Sequence, residues 1–243
     1  MNRMGRAAVM LFLGVTMTRL LWTGAFGFFI QQRMRIPLLL ATIVLLVMGA
    51  AEAFAASREE TRDPDSTFKM TGPKVGWLMI LPLLVLVSVA PTGLGAAATE
   101  RVEPFTPVET ESNFEPLDTS VQPLELRVFD FVDRAVWDTE ESLSDVTVRL
   151  EGLVVNDPNI SDGFRLTRFL VSCCAADGVP IQVVVHGLEN SYPDDTWVEA
   201  DVVWREPDID LRQALPRERI VEADVVSISV VPDPPTDAYE SPY

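Results

Sequence analysis

Apolar residues are distributed along this chain in two different ways. Up to about residue 90 they come in long unbroken blocks, and beyond about residue 145 they alternate with polar ones. Three blocks, 7–30, 36–56 and 75–90, approach the roughly 20 apolar residues that cross a bilayer as a helix. Only Gln31-Gln32-Arg33-Met34-Arg35 separates the first two, so they are predicted to form a tight antiparallel hairpin. The connector 57–74 is polar and charged and belongs in water. Pro82 predicts a kink in the third block, and Pro91-Thr92-Gly93 its end.

Past the blocks, residues 100–123 are rich in Glu, Pro, Thr and Ser and read as an extended spacer. A short amphipathic helix is predicted over 126–137, with Phe129, Val132 and Val136 on one face. The period then switches to two. Strands are predicted at 146–155, 164–172, 181–186, 196–204 and 220–230, punctuated by Asn-Asp-Pro-Asn, Asp-Gly-Val-Pro, Tyr-Pro-Asp-Asp and Glu-Pro-Asp. Five strands with no room for a parallel crossover predict a small antiparallel barrel of the OB type. The expected organisation is a three-helix transmembrane domain (1–99), a linker (100–123), a soluble OB-like β-barrel domain (124–231) and a disordered tail (232–243).

Charge sharpens the division. Residues 1–99 hold nine Lys/Arg against five acids, or +4; the whole chain is −17, so the remainder carries −21. A domain this acidic repels phosphate backbones, so nucleic acid is not an expected partner. Lys/Arg in short loops predict orientation. Arg3, Arg6, Arg58, Arg62, Lys69 and Lys74 lie on one side; Arg33, Arg35 and Arg101 lie on the other. The bias puts the N-terminus in the cytoplasm and the acidic domain outside it, in a multi-pass membrane protein. Ala53-Phe54-Ala55 resembles a signal cleavage site, but the two spans ahead of it are too much for a signal peptide. Arg19 falls near the middle of the first block, where an arginine is costly and marks a candidate contact with a partner helix. Gly24, Gly27 and Gly49 are candidates for close helix contacts.

Candidate chemistry concentrates in Ser172-Cys173-Cys174-Ala175-Ala176-Asp177, which holds the two cysteines of the chain. Four readings stay open: small structural thiols, a metal site, a strained and easily reduced disulfide, or an inter-chain disulfide. Cys173, Cys174, Asp177 and His186, the one histidine, are ligand types that suit Zn²⁺ or Cu⁺. Successive strand residues point to opposite faces, so both sulfurs meet one ion only where a bulge or turn begins. Arg165, Thr167, Phe169, Val171 and Cys173 share one face, and Phe164, Leu166, Arg168, Leu170 and Cys174 the other. Neither face is cleanly apolar, and a bulge is expected there. No phosphate loop, nucleophile elbow or catalytic triad order is present, so an enzyme is not expected. Trp137, Trp197 and Trp204 are expected in packing.

Several stretches together resemble the YcgQ-like family of bacterial permease-complex subunits, small partners of a larger predicted permease. They are Phe29-Ile30-Gln31-Gln32-Arg33-Met34, Leu81-Pro82-Leu83, Leu166-Thr167-Arg168-Phe169 running into Cys173-Cys174-Ala175-Ala176-Asp177, and Trp197-Val198. The resemblance implies a two-component membrane complex with a polytopic partner in the lipid bilayer. It also implies that Arg168, Cys173, Cys174 and Asp177 belong to the family's motif as ligand or partner residues. The leading expectation is a non-enzymatic accessory subunit of a permease, whose β-domain binds a ligand or regulates the partner. The alternative is a stand-alone membrane-anchored protein that handles metal or senses redox state through its thiols.

Overall fold

A computed structural model describes residues 3–62, 93–107, 114–188, 192–215, 218–232 and 238–241. The chain divides into two units, Met1–Thr92 and Gly93–Tyr243.

In the first unit, α1 (Arg3–Thr23) and α2 (Arg35–Arg62) pack against each other. Both are long and apolar enough to cross a membrane on length and composition. The predicted third span, with Pro82, lies outside the described residues. The turn between α1 and α2 is wider than predicted: α1 stops at Thr23, and two short 3₁₀ turns, Ala25–Phe28 and Gln32–Met34, complete the reversal. Gly24 explains the early stop, because its φ of 74° is a left-handed conformation that residues with a Cβ avoid. Small residues bring the helices close. A Cβ on Gly14 would sit 2.6 Å from Leu46, and one on Gly49 2.9 Å from Leu11. Of the predicted contact glycines Gly49 therefore packs between helices, whereas Gly24 makes the turn. Arg6 reaches Glu52 at 3.6 Å across the antiparallel pair. Arg19 is exposed on α1. Much of the outer surface stays apolar, with Val15, Trp22, Ile36, Leu40, Val44 and Val47 all exposed.

Among its described residues the second unit holds a short α3 (Ala96–Thr99), α4 (Val128–Trp137) and seven strands: β1 (Leu124–Glu125), β2 (Thr147–Val155), β3 (Gly163–Leu170), β4 (Val179–His186), β5 (Trp197–Arg205), β6 (Val221–Val230) and β7 (Tyr239–Glu240). The five longer strands fall within two residues of the predicted ones at each end. They form one mixed sheet in the order β1-β2-β5-β6-β4-β3-β7, and β2 also pairs with β3, so five strands close a ring. The sheet is not purely antiparallel, as the lack of room for a parallel crossover had suggested: β4 runs parallel to β6, with β5 itself making the crossover, and β1 runs parallel to β2 and β7 to β3. Period two marks a strand but not the direction of its neighbour, which is decided by how the chain returns.

Alternation places Val148, Leu150, Phe164, Leu166, Val183, Val185, Val198, Ala200 and Val202 in one core, each essentially buried. α4 covers it with Val128, Phe131, Val132, Val136 and Trp137. Phe129, predicted on that face, lies at its edge and packs on Phe105, with ring centroids 5.6 Å apart. Of the other predicted packing tryptophans, Trp204 lies against this core.

Two stretches predicted to be free of structure are fastened to this unit. Within the predicted spacer, the Phe105 N–H donates to the Pro180 carbonyl (2.7 Å), and Phe114 and Leu117 pack against the core. Within the predicted disordered tail, Tyr239 and Glu240 pair with Phe169 and Leu170 and are buried. A two-residue strand between prolines has no detectable period, so only its tertiary partner reveals it.

Candidate functional site

β3 and β4 form an antiparallel hairpin that pairs from Gly163↔His186 to Leu170↔Val179. The predicted site residues are split between its two ends. Cys173, Cys174 and Asp177 sit in the connection after Leu170, whereas His186 closes the far end. Seven residue steps of about 3.3 Å put the two ends about 23 Å apart. His186 is therefore not a fourth ligand to the cysteine cluster. Its Nδ1 lies 3.0 Å from Asp162 and its Nε2 3.1 Å from Glu222. Arg205 pairs with Glu222 and Asp224 beside it.

The expected bulge is absent from β3. The strand ends at Leu170, and the chain leaves it in a loop that closes with a 3₁₀ turn at Ala175–Asp177. The mixed character of β3 has another cause. Phe164, Leu166 and Leu170 enter the main core, while Phe169 and Val171 enter a second, smaller one with Leu153, Ala238 and Tyr239. Both faces are covered, so the alternation is blurred.

Asp177 organises the loop. Its Oδ1 accepts the Ser172 N–H (2.9 Å); its Oδ2 accepts the N–H of Cys173 (2.9 Å) and, more weakly, of Cys174 (3.4 Å). The Asp177 N–H donates to the Cys174 carbonyl (2.9 Å). An aspartate at the third position of a turn that receives N–H groups from its start is a capping arrangement, which explains the Cys-Cys-x-x-Asp spacing. Once the backbone leaves the strand, the opposite-face rule no longer applies, and both sulfurs and the carboxylate converge. One ligand atom from each of Cys173, Cys174 and Asp177 lies within 4.8 Å of the others.

Both cysteines are free thiols; Cys173 is exposed and Cys174 half-buried. The hydrogen bond to Asp177, then that to Cys174, pushes the Cys173 thiol up to about 11. Desolvation pulls Asp177 upward, but bonds from the Cys173 thiol and from the loop N–H groups outweigh it and hold the carboxylate below its ordinary range. Among the described residues, no arginine, lysine or histidine forms an ion pair with Asp177.

Arg168 is on β3 but inside the unit, 7% exposed, 3.5 Å from the Glu240 carboxylate and 5.0 Å from the Trp197 ring centroid. Glu240 accepts the N–H groups of Val128 and Phe129, both at 2.9 Å, and so caps α4. Burial pushes Glu240 upward, and Arg168 opposes that shift. Arg168 thus fastens β3, β7 and α4 together next to the loop. Glu240 was invisible to sequence reasoning, since a glutamate in a Pro-rich tail carries no pattern. Leu94 was missed as well: it packs in the second core, and its N–H donates to the Tyr239 hydroxyl (3.0 Å).

Residues 129–227 match the family model described as the DUF1980 C-terminal domain. That match runs from α4 into β6 and includes the cysteine loop and both ends of the hairpin. No curated protein matches the chain. Among solved structures, similarity is found to a protein assigned as an aspartyl-tRNA synthetase from Leishmania major Friedlin, at 11% identity and a TM-score of 0.26, over 47% of this chain and 22% of that one. A likeness that low carries no argument about this chain.

Proposed function

We infer that this chain is a non-catalytic accessory subunit of a two-component membrane permease complex. The reading rests on one conjunction: a DUF1980 C-terminal domain, a kind of domain associated with membrane permeases, follows helices of membrane length whose outer faces are apolar and exposed. Three apolar blocks in the sequence and the Lys/Arg bias support a cytoplasmic N-terminus and an extracytoplasmic acidic β-unit. The YcgQ-like resemblance supplies the partner, a larger polytopic permease. Exposed apolar faces on α1 and α2, with Arg19 among them, supply surfaces for it and for lipid. The closed five-strand ring is read as an OB-type barrel. Its working corner is the 171–178 loop, which presents chemically distinctive side chains to solvent. Tagged chain purified from native membranes should bring down a polytopic protein in stoichiometric amount; purification alone would overturn the reading. A reporter fused after Tyr243 should be active only outside the cytoplasm.

The stand-alone thiol-sensor alternative is disfavoured by the Cys173 thiol. With its proton held to about 11, it is mostly un-ionised at neutral pH and therefore a slow nucleophile.

A further inference from the structure

We propose that Cys173 Sγ, Cys174 Sγ and Asp177 Oδ1 form a site for a thiophilic d¹⁰ cation, Zn²⁺ in preference to Cu⁺, with a coordination position left open. This deepens the reading of the 171–178 loop as the ligand-binding corner of an accessory subunit by naming what it binds.

The first support is convergence. A tetrahedral zinc ion with Zn–S bonds of about 2.3 Å holds its donor atoms about 3.8 Å apart. One ligand atom from each of the three residues already lies within 4.8 Å of the others, so small rotations of the two cysteine side chains bring the sulfurs and the carboxylate onto one ion. The second is the state of the carboxylate. Two oxygens offer about four acceptor positions, and the loop N–H groups load Oδ2 twice but Oδ1 only once. Oδ1 keeps a lone pair for an ion, while Oδ2 holds the loop shape, a built-in outer-shell role. The third is rigidity around the site. Val171 is fully buried and its N–H donates to the Glu240 carbonyl (2.9 Å); on the far side the Phe105 N–H holds the Pro180 carbonyl. Leu94 closes over Gly178 so tightly that a Cβ there would collide with its side chain. A loop pinned on both flanks loses little conformational freedom when an ion binds.

The donor set selects the ion. Two thiolates suit Zn²⁺ or Cu⁺, but a carboxylate oxygen is a harder donor that favours Zn²⁺. Three protein ligands with Cys173 exposed leave an open position, the feature that separates exchangeable or reactive zinc sites from closed structural ones. Binding replaces the thiol protons, which go to solvent. The far end of the hairpin offers no such site, because both His186 nitrogens are engaged by carboxylates.

The test uses the full chain in detergent micelles, reduced with a phosphine and stripped with a chelator. Zn²⁺ is titrated in competition with a chromophoric chelator, and Co²⁺ serves as a spectroscopic stand-in. One equivalent of Zn²⁺ should bind, and Co²⁺ should show thiolate-to-metal charge transfer. Cys173→Ser and Cys174→Ser should each weaken Zn²⁺ by at least about tenfold and diminish that band. Asp177→Asn keeps one acceptor oxygen for the Cys173 and Cys174 N–H groups, gives up the acceptor of the Ser172 N–H, and replaces the proposed ligand oxygen by an NH₂. It should weaken Zn²⁺ by about tenfold while leaving the Co²⁺ band in place. His186→Ala should leave affinity unchanged. Zn²⁺ affinity unchanged by Asp177→Asn would remove the carboxylate from the donor set and overturn the choice of Zn²⁺ over Cu⁺. No stoichiometric binding of either, or Zn²⁺ binding untouched by the double cysteine-to-serine variant, would overturn the site. Because exposed Cys173 contributes little to the fold, an unchanged near-UV circular dichroism spectrum of Cys173→Ser separates lost ligation from lost structure. Failure here leaves co-purification with a polytopic partner unaffected, so the two readings fail separately.

Discussion

The two ends of the β3–β4 hairpin carry the same ingredients, carboxylates and a metal-ligating side chain, and use them oppositely. At the His186 end, acids meet bases: Asp162 and Glu222 flank the imidazole, Arg205 pairs with Asp224, and Arg165 pairs with Asp157 at 2.8 Å. At the cysteine end, Asp177 meets only backbone N–H groups and thiols among the described residues. A ligand type is thus not a site by itself. What differs is whether the charges nearby are already compensated, and compensation is a property of neighbours brought by other strands.

The contrast can be broken most severely through the pair that anchors the cysteine end. Glu240→Ala breaks the ion pair with buried Arg168 and removes the cap of α4 together. We expect a loss of about 3–5 kcal/mol, the usual cost of breaking a buried pair from one side, read as a lowered denaturation midpoint of the full chain. Second comes the opposite end. A Cβ on Gly163 would run into the Val185 carbonyl, which is backbone and cannot swing away. Gly163→Ala should therefore destabilise by about 2–3 kcal/mol. Gly178→Ala is the matched change at the cysteine end, where the obstructing atom is the tip of the Leu94 side chain. It should cost under about 1 kcal/mol, because such a tip can rotate. Equal effects of the two alanines would show that both ends are equally rigid.

Acid should separate the ends more gently. The Asn159 N–H groups and then Arg165 hold the Asp157 carboxyl below its ordinary value. Its folded pKa is depressed, so its contribution is present above about pH 4 and is lost as pH falls through the lowered value. Asp157→Asn should therefore lower the melting temperature at pH 7 and narrow its fall between about pH 4 and pH 2. Glu240 has the reverse sign. Burial raises it, so its ionisation opposes folding, and that penalty is relieved as pH falls through the raised value. Glu240→Gln should consequently make the melting temperature drop more steeply on mild acidification than in the parent chain. The smallest expected effect is that of Cys173→Ser on stability, within about 0.5 kcal/mol, since the side chain is exposed.

The cysteine loop, as a candidate site, was legible along the chain because its geometry is local. Asp177 lies within a few residues of the groups that it binds, and a turn at Asp-Gly is a matter of backbone chemistry. His186 was misplaced as a ligand for the converse reason. It lies only nine residues beyond Asp177, but a strand carries those residues away at about 3.3 Å each. Sequence proximity in an extended segment is distance, whereas in a turn it is contact. The bulge expected from mixed β3 faces failed because burial on both sides of a strand erases alternation, whichever elements supply the cover.

By itself, the sequence determined the split between an apolar helical half and an acidic β half, the positions of five strands to within two residues, and a turn signal at Asp177-Gly178 after the two cysteines. These follow from hydropathy over windows of ten to twenty residues and from turn chemistry, both of which act locally. Tertiary structure alone decided that β4 runs beside β6 in parallel, that β2 and β3 close the ring, that Tyr239 and Glu240 return to pin β3 and α4, and that His186 is spent on carboxylates. Those outcomes depend on pairings between residues up to 112 positions apart. Their selection rests on shared burial and loop closure, which no local pattern records.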